Sequence, residues 1–222
     1  MINKLIQCDC MEYMKTCKNK QFDLAIVDPP YGLLESGGQT GGHNGLFANR
    51  AYKNGIISAW DNKPPKEYFD ELFRVSKNQI IWGGNYFDLP PSRCFVVWDK
   101  VQPWDTFSAC EYAWTSFSLP AKLFKFDNRT GDKIHPTQKP VALYKWLLSH
   151  YAHAGDKLFD SHSGSGSFRI AAYDMGFDLI SCEIDADYCH DNEARYQAHI
   201  AQQELIPVQE IQQLTFGEGK IK

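Results

Sequence analysis

The chain has 222 residues, 43% hydrophobic and 14% aromatic, which suits one well-buried core and a single domain rather than several. A formal net charge of −4 excludes a generally basic surface, so any nucleic-acid binding must rest on local positive charge. No run of 18 apolar residues occurs and Met1-Ile2-Asn3-Lys4 opens no signal-like apolar region, so a cytoplasmic protein is expected.

Lys4 to Cys8 reads as a short strand, followed by Asp9 and a helix from about Cys10 to Thr16. Asp9 stands where an N-cap belongs. Phe22 to Val27 is short, mostly apolar and closed by prolines, the pattern of a buried parallel strand. It ends in Asp28-Pro29-Pro30-Tyr31. The prolines fix φ and remove two N–H donors, so a carboxylate arrives rigidly at the sheet's C-terminal edge. Beside it stand backbone carbonyls free to accept and the flat face of Tyr31. One carboxylate, one carbonyl and one ring suit an exocyclic amino group on a flat heterocycle.

Residues 32–63 carry seven glycines and no periodicity. That stretch is either a surface loop or a lid over the site, with Arg50 and Lys53 as phosphate-contact candidates. Pro64-Pro65 opens a helix to about Lys77, burying Phe69, Leu72, Phe73 and Val75. Gln79 to Trp82 is a strand ending in Gly83-Gly84-Asn85-Tyr86, again at a sheet edge. Cys94 to Trp98 and Tyr112 to Phe117 are two more strands, and their short connection predicts antiparallel pairing. Residues 119–134 read as irregular, carrying Lys122, Lys125, Arg129 and Lys133, which make either a basic patch or a solvated loop.

Pro140 starts a helix to about Ala152 with Val141, Tyr144, Leu147, Leu148 and Tyr151 at helical spacing. Lys157 to Phe159 and Asp178 to Cys182 are strands, with helices at Phe168 to Met175 and Asp187 to about Leu205. Strands alternating with helices give an α/β fold with a mainly parallel sheet. The seven cysteines form no C-x-x-C pair and read as reduced thiols. A zinc site from Cys8, Cys10, Cys182, Cys189 and His190 has the wrong spacing, so no metal is expected.

Leu158 to Ser167 reads as strand, tight turn and helix start around Asp160, Ser161, His162, Gly164, Ser165 and Gly166. Glycines let a ligand approach the backbone, and the helix N-terminus favours an anion. Glu183, at the end of the next strand, is placed to accept the hydroxyls of a ribose.

Asp28-Pro29-Pro30-Tyr31 resembles the catalytic motif of S-adenosylmethionine-dependent DNA amino-methyltransferases of the N6-adenine type. The glycine turn resembles that family's cofactor motif, with Ser161 for Pro, His162 for Phe and Ser167 for Thr. His135-Pro136-Thr137-Gln138-Lys139-Pro140 matches a third family segment letter for letter. The resemblance implies a Rossmann-like fold: a mostly parallel seven-stranded sheet with an antiparallel edge strand. The catalytic motif preceding the cofactor turn resembles the circularly permuted β class, often dimeric. It further implies S-adenosylmethionine held by Asp9, His135, Thr137, Gln138, Lys139, Asp160, Ser161, His162, Gly164, Ser165, Gly166 and Glu183. Asp28 and the Pro29 carbonyl would hold the amine of an adenine flipped out of double-stranded DNA and stacked on Tyr31, and Trp60, Asn85 and Tyr86 are candidates to line that pocket.

The expected organisation is one domain over residues 1–206. It comprises a catalytic half 1–118, a short recognition segment 119–134 and a cofactor half 135–206, with a tail at 207–222. So small a recognition segment predicts short or relaxed specificity and suggests a restriction-modification, mobile or phage-borne gene. N4-cytosine methylation and a non-catalytic cofactor-binding subunit remain the alternatives.

Overall fold

The computed structural model describes residues 1–32, 62–102, 108–127 and 138–204. Strands β1 (Asn3–Gln7), β2 (Phe22–Val27), β3 (Ser76–Trp82), β4 (Phe95–Asp99), β5 (Cys110–Thr115), β6 (Lys122–Lys125), β7 (Lys157–Asp160) and β8 (Asp178–Glu183) form one sheet. Helices α1 (Cys10–Thr16), α2 (Lys66–Val75), α3 (Val141–Tyr151), α4 (Ser167–Asp174) and α5 (Ala186–Glu204) accompany them, with a 3-10 turn at Gly84–Tyr86. The strand order is β1-β8-β7-β2-β3-β5-β4-β6.

The central strands are buried on both sides, which is why their sequences are apolar runs rather than alternations. Leu24 and Ile26 of β2 pack on one face with Leu143, Leu147 and Phe168 of α3 and α4. Ala25 and Val27 point to the other face, against Met14 of α1 and Tyr68, Phe69 and Leu72 of α2. The two faces follow from handedness. The crossover β2-α2-β3 steps along the sheet in one direction and β7-α4-β8 in the other, so right-handed connections place α2 and α4 on opposite faces. β2 and β7 are neighbours, and between them the winding reverses. Such a reversal opens a crevice at the strands' C-terminal ends.

Three expectations are corrected. The sheet has eight strands, because Lys122–Lys125, read as part of an irregular segment, pairs in parallel with β4 from Val96 to Asp99. Four half-exposed residues carry too little pattern to announce a strand; the partner makes it one. The antiparallel strand is β5, held between β3 and β4 inside the sheet, whereas an antiparallel edge was expected. Helix α2 stops at Val75 rather than Lys77. Ser76 turns extended to pair with Phe22 of β2, and its hydroxyl donates to the Leu72 carbonyl. The expected tail and most of the glycine-rich stretch lie outside the described residues, among which no helix is long and apolar enough to cross a membrane.

Candidate active site

Asp28 leaves the end of β2 at the winding reversal, where the chain cannot stay in the ladder because two prolines follow. Its Oδ1 accepts a hydrogen bond from the Tyr31 hydroxyl at 2.7 Å, and its Oδ2 accepts one from the Lys139 ammonium. The Tyr31 ring stacks on Tyr86 at 5.0 Å between centroids and meets Phe87 edge-on. It also lies flat against Gly83. That glycine has φ +66°, and a Cβ on it would fall 2.2 Å from the ring, so both the turn and the ring's position need its bare backbone. Burial, with Asp28 and Glu111 nearby, holds the Tyr31 hydroxyl well above the usual tyrosine range, keeping it a donor.

Lys139 precedes α3, is almost fully enclosed, and lies over the Trp82 ring at 5.1 Å. Its Nζ is 3.1 Å from Glu111 Oε2, while Glu111 Oε1 is 2.7 Å from Lys100 Nζ. Burial alone would favour a neutral lysine. The Asp28 and Glu111 carboxylates more than offset that and raise Lys139 above its ordinary value.

Across the crevice, β7 ends in Asp160, followed by the glycine turn. Burial pushes the Asp160 carboxyl up to about 8, only partly opposed by the His162 N–H it accepts at 3.1 Å. A buried acid that is neutral at neutral pH suits a cationic ligand group, whose charge would restore the carboxylate. Glu183 caps the turn from β8: Oε2 accepts from Gly164 N–H at 2.8 Å, and Oε1 from Ile184 and Asp185 N–H at 3.0 and 3.1 Å. A carboxylate offers about four acceptor directions, so roughly one remains for a ligand hydroxyl unless a backbone bond yields. Gly164, at φ +49°, has open space where a Cβ would stand; Gly166, at φ +77°, would put one 2.4 Å from Asn192 Oδ1.

Residues 97–194 match the family model for N6/N4 methyltransferases, described as DNA methylase. The chain is 22% identical to the Type II methyltransferase M1.MboII of Moraxella bovis, an alignment covering 84% of this chain and 94% of that protein. Over residues 97–194 the chain is similar to the N6/N4 DNA methylases. Two solved structures share the fold. The M1.HpyAVI–SAM complex superposes with a TM-score of 0.58 at 17% identity, covering 88% of this chain and 98% of that one. The PvuII DNA methyltransferase, cytosine-N4-specific, gives 0.61 at 14% identity, covering 88% and 86%.

The chain thus brings Asp28, Pro29, Pro30, Tyr31, Tyr86 and Lys139 to one side of the crevice and Asp160 to Gly166 with Glu183 to the other. The departures at Ser161 and His162 are coupled. Ser161 Oγ bonds the buried Tyr68 hydroxyl at 2.6 Å and His162 Nδ1 at 2.8 Å, and His162 packs edge-on against Tyr68. Burial pushes His162 down to about 4, so at neutral pH the ring is uncharged and packs as an aromatic. Asp9 is exposed and caps α1, its Oδ1 accepting Met11 N–H at 2.7 Å. Asn85 is exposed beside Tyr86. Lys122 and Lys125 lie on edge strand β6, with Lys125 3.7 Å from Asp99; four strand spacings separate β6 from β2, roughly 19 Å. His135, Thr137, Arg50, Lys53, Trp60, Arg129 and Lys133 lie outside the described residues.

Four residues join the site without having been foreseen. Asn192 and Arg195 of α5 brace the glycine turn, Asn192 Nδ2 donating to Ser163 Oγ and Gly164 O, Arg195 to Ser165 O and Ser167 Oγ. Polar residues at one-turn spacing facing a glycine loop were the available signal. Glu111 and Lys100 carried none, since their relevance depends on strand order.

Proposed function

We propose that the chain transfers a methyl group from S-adenosylmethionine to N6 of an adenine extruded from double-stranded DNA. The observation carrying this reading is the Asp28 carboxylate at the winding reversal, beside an aromatic floor and facing the glycine turn. S-adenosylmethionine, when bound, supplies an electrophilic methyl on a cationic sulfur. Asp160, Glu183 and the turn from Ser161 to Gly166 are the residues suited to hold it: a carboxyl awaiting a cation, a partly committed acid for a hydroxyl, and bare backbone. Asp9 and Gln138 complete the set by family resemblance.

The amine's lone pair is delocalised into the purine ring, which makes it a poor nucleophile. Hydrogen bonds from its two N–H groups to Asp28 Oδ1 and the Pro29 carbonyl would draw the nitrogen toward tetrahedral geometry and localise that pair. Placement and fixed charges supply the rate. Once alkylated, the nitrogen is acidic, and Asp28 is the carboxylate positioned to take its proton. To admit the amine, the Tyr31 hydroxyl must give up Oδ1. Stacking on Tyr31 and Tyr86 then returns about 1–3 kcal/mol toward extruding the base. Residues 1–206 act as one catalytic unit in this reading, with short or relaxed specificity and a homodimer as the assembly.

N4-cytosine methylation is the second reading, because the same hydrogen bonds serve either amine and a cytosine-N4-specific enzyme shares the fold. An aspartate rather than a serine at position 28 favours adenine by family resemblance. Sequencing that reports both modifications in DNA of cells expressing the protein decides the matter. N6-methyladenine in a short context is expected; N4-methylcytosine would replace the first reading with the second, and unmodified DNA would refute both.

A further inference from the structure

Four charges alternate in a line behind the amine site: Asp28, Lys139, Glu111 and Lys100. Lys139 is enclosed, its side chain 3% exposed, whereas Glu111 and Lys100, the latter lying over the Trp98 ring at 5.5 Å, are partly exposed at 24% and 15%. Glu111 can join only because β5 runs antiparallel, which brings the start of that strand to the edge where β2 and β3 end. Buried ion pairs contribute little net stability against apolar replacements, so such a line is poorly explained as a fold device. Its geometry bears on Asp28. An ammonium has three N–H donors. With only one carboxylate in reach, Lys139 would turn wholly to Asp28 and compete for both oxygens. Glu111, an ion-pair partner 3.1 Å from Lys139 Nζ rather than an aligned hydrogen-bond acceptor, pulls the ammonium toward its own side.

We propose that Glu111 is a positioning residue for methyl transfer: by sharing Lys139, it confines that ammonium to Asp28 Oδ2 and leaves Oδ1 to accept the target amine. This rests on reading Asp28 as the amine acceptor. It also gives Lys139, expected from the sequence on the cofactor side, a role on the amine side. Lys100 steadies Glu111 from the outer end.

The test measures kcat, KM for DNA and cofactor affinity for wild type, Glu111→Gln, Glu111→Asp and Lys100→Met. Gln keeps the volume and loses the charge; Asp keeps the charge and is shorter. A packing role would spare Gln and penalise Asp. The positioning role predicts the reverse. Glu111→Gln should lower kcat about tenfold or more, with cofactor affinity within about twofold, and Asp should recover at least about threefold over Gln. Wild-type kcat in Glu111→Gln, or Gln more active than Asp, overturns the proposal. If the Glu111 variants do not fold, Lys100→Met decides from the end away from Asp28: a kcat about threefold lower at unchanged KM supports it, and an unchanged kcat overturns it. Should wild type methylate no DNA, the reading of Asp28 and this inference fall together; if wild type is active and Glu111→Gln matches it, the inference alone falls.

Discussion

Asp160 gives the clearest handle on how the crevice is poised. Its carboxyl rises from 3.8 to about 8, chiefly through burial and then through the Glu183 and Asp28 carboxylates, against the opposing His162 backbone N–H and the Lys139 ammonium. Between those values the folded chain holds a proton that the unfolded chain has released, so stability declines as pH rises from about 4 to about 8. The whole difference, at 1.36 kcal/mol per pH unit, is roughly 5–6 kcal/mol, and an interior more polarisable than dry protein brings it to about half. Asp160→Asn keeps an oxygen to accept the His162 N–H and removes the titration. In urea unfolding at pH 5, 6, 7 and 8, the variant should gain on wild type steadily, reaching about 2–3 kcal/mol at pH 8. Cofactor should narrow the gap, since a bound cation favours the wild-type carboxylate and not the amide. Stability curves for the two proteins that stay parallel across this range would refute the argument.

Asp28→Ala should retain cofactor binding and lose methyl transfer, and a tritiated-methyl assay showing more than about 10% of wild-type turnover would contradict the role given to that carboxylate. His162→Phe tests the neutral imidazole. Because burial pushes His162 from 6.5 down to about 4, the unfolded chain takes up a proton there that the folded chain refuses, and stability is lost as pH falls through that window. The phenylalanine variant should therefore gain on wild type between pH 6.5 and 4, by roughly 1–3 kcal/mol in denaturant midpoints at constant m-value.

The chemistry-bearing local segments were legible in the sequence. An apolar run closed by Asp28-Pro29-Pro30-Tyr31 needs no partner to announce a rigid carboxylate at a strand end, because the prolines act through covalent geometry. Asp160 to Gly166 is likewise local: glycines at positive φ, then a helix start. Helices with a strong apolar stripe, such as Lys66–Val75 and Val141–Tyr151, were found to within two residues. Strand order is a different kind of information, carried by which backbones find each other. Nothing within Lys122–Lys125 marks it as a strand, and nothing within Cys110–Thr115 says that it runs against its neighbours inside the sheet. That reversal brings Glu111 to the amine side, and the winding reversal between β2 and β7 makes one crevice of two distant motifs. Lys139 shows the boundary plainly: its motif was readable, whereas the carboxylates it would serve depended on contacts 111 residues away with Asp28 and across the sheet with Glu111.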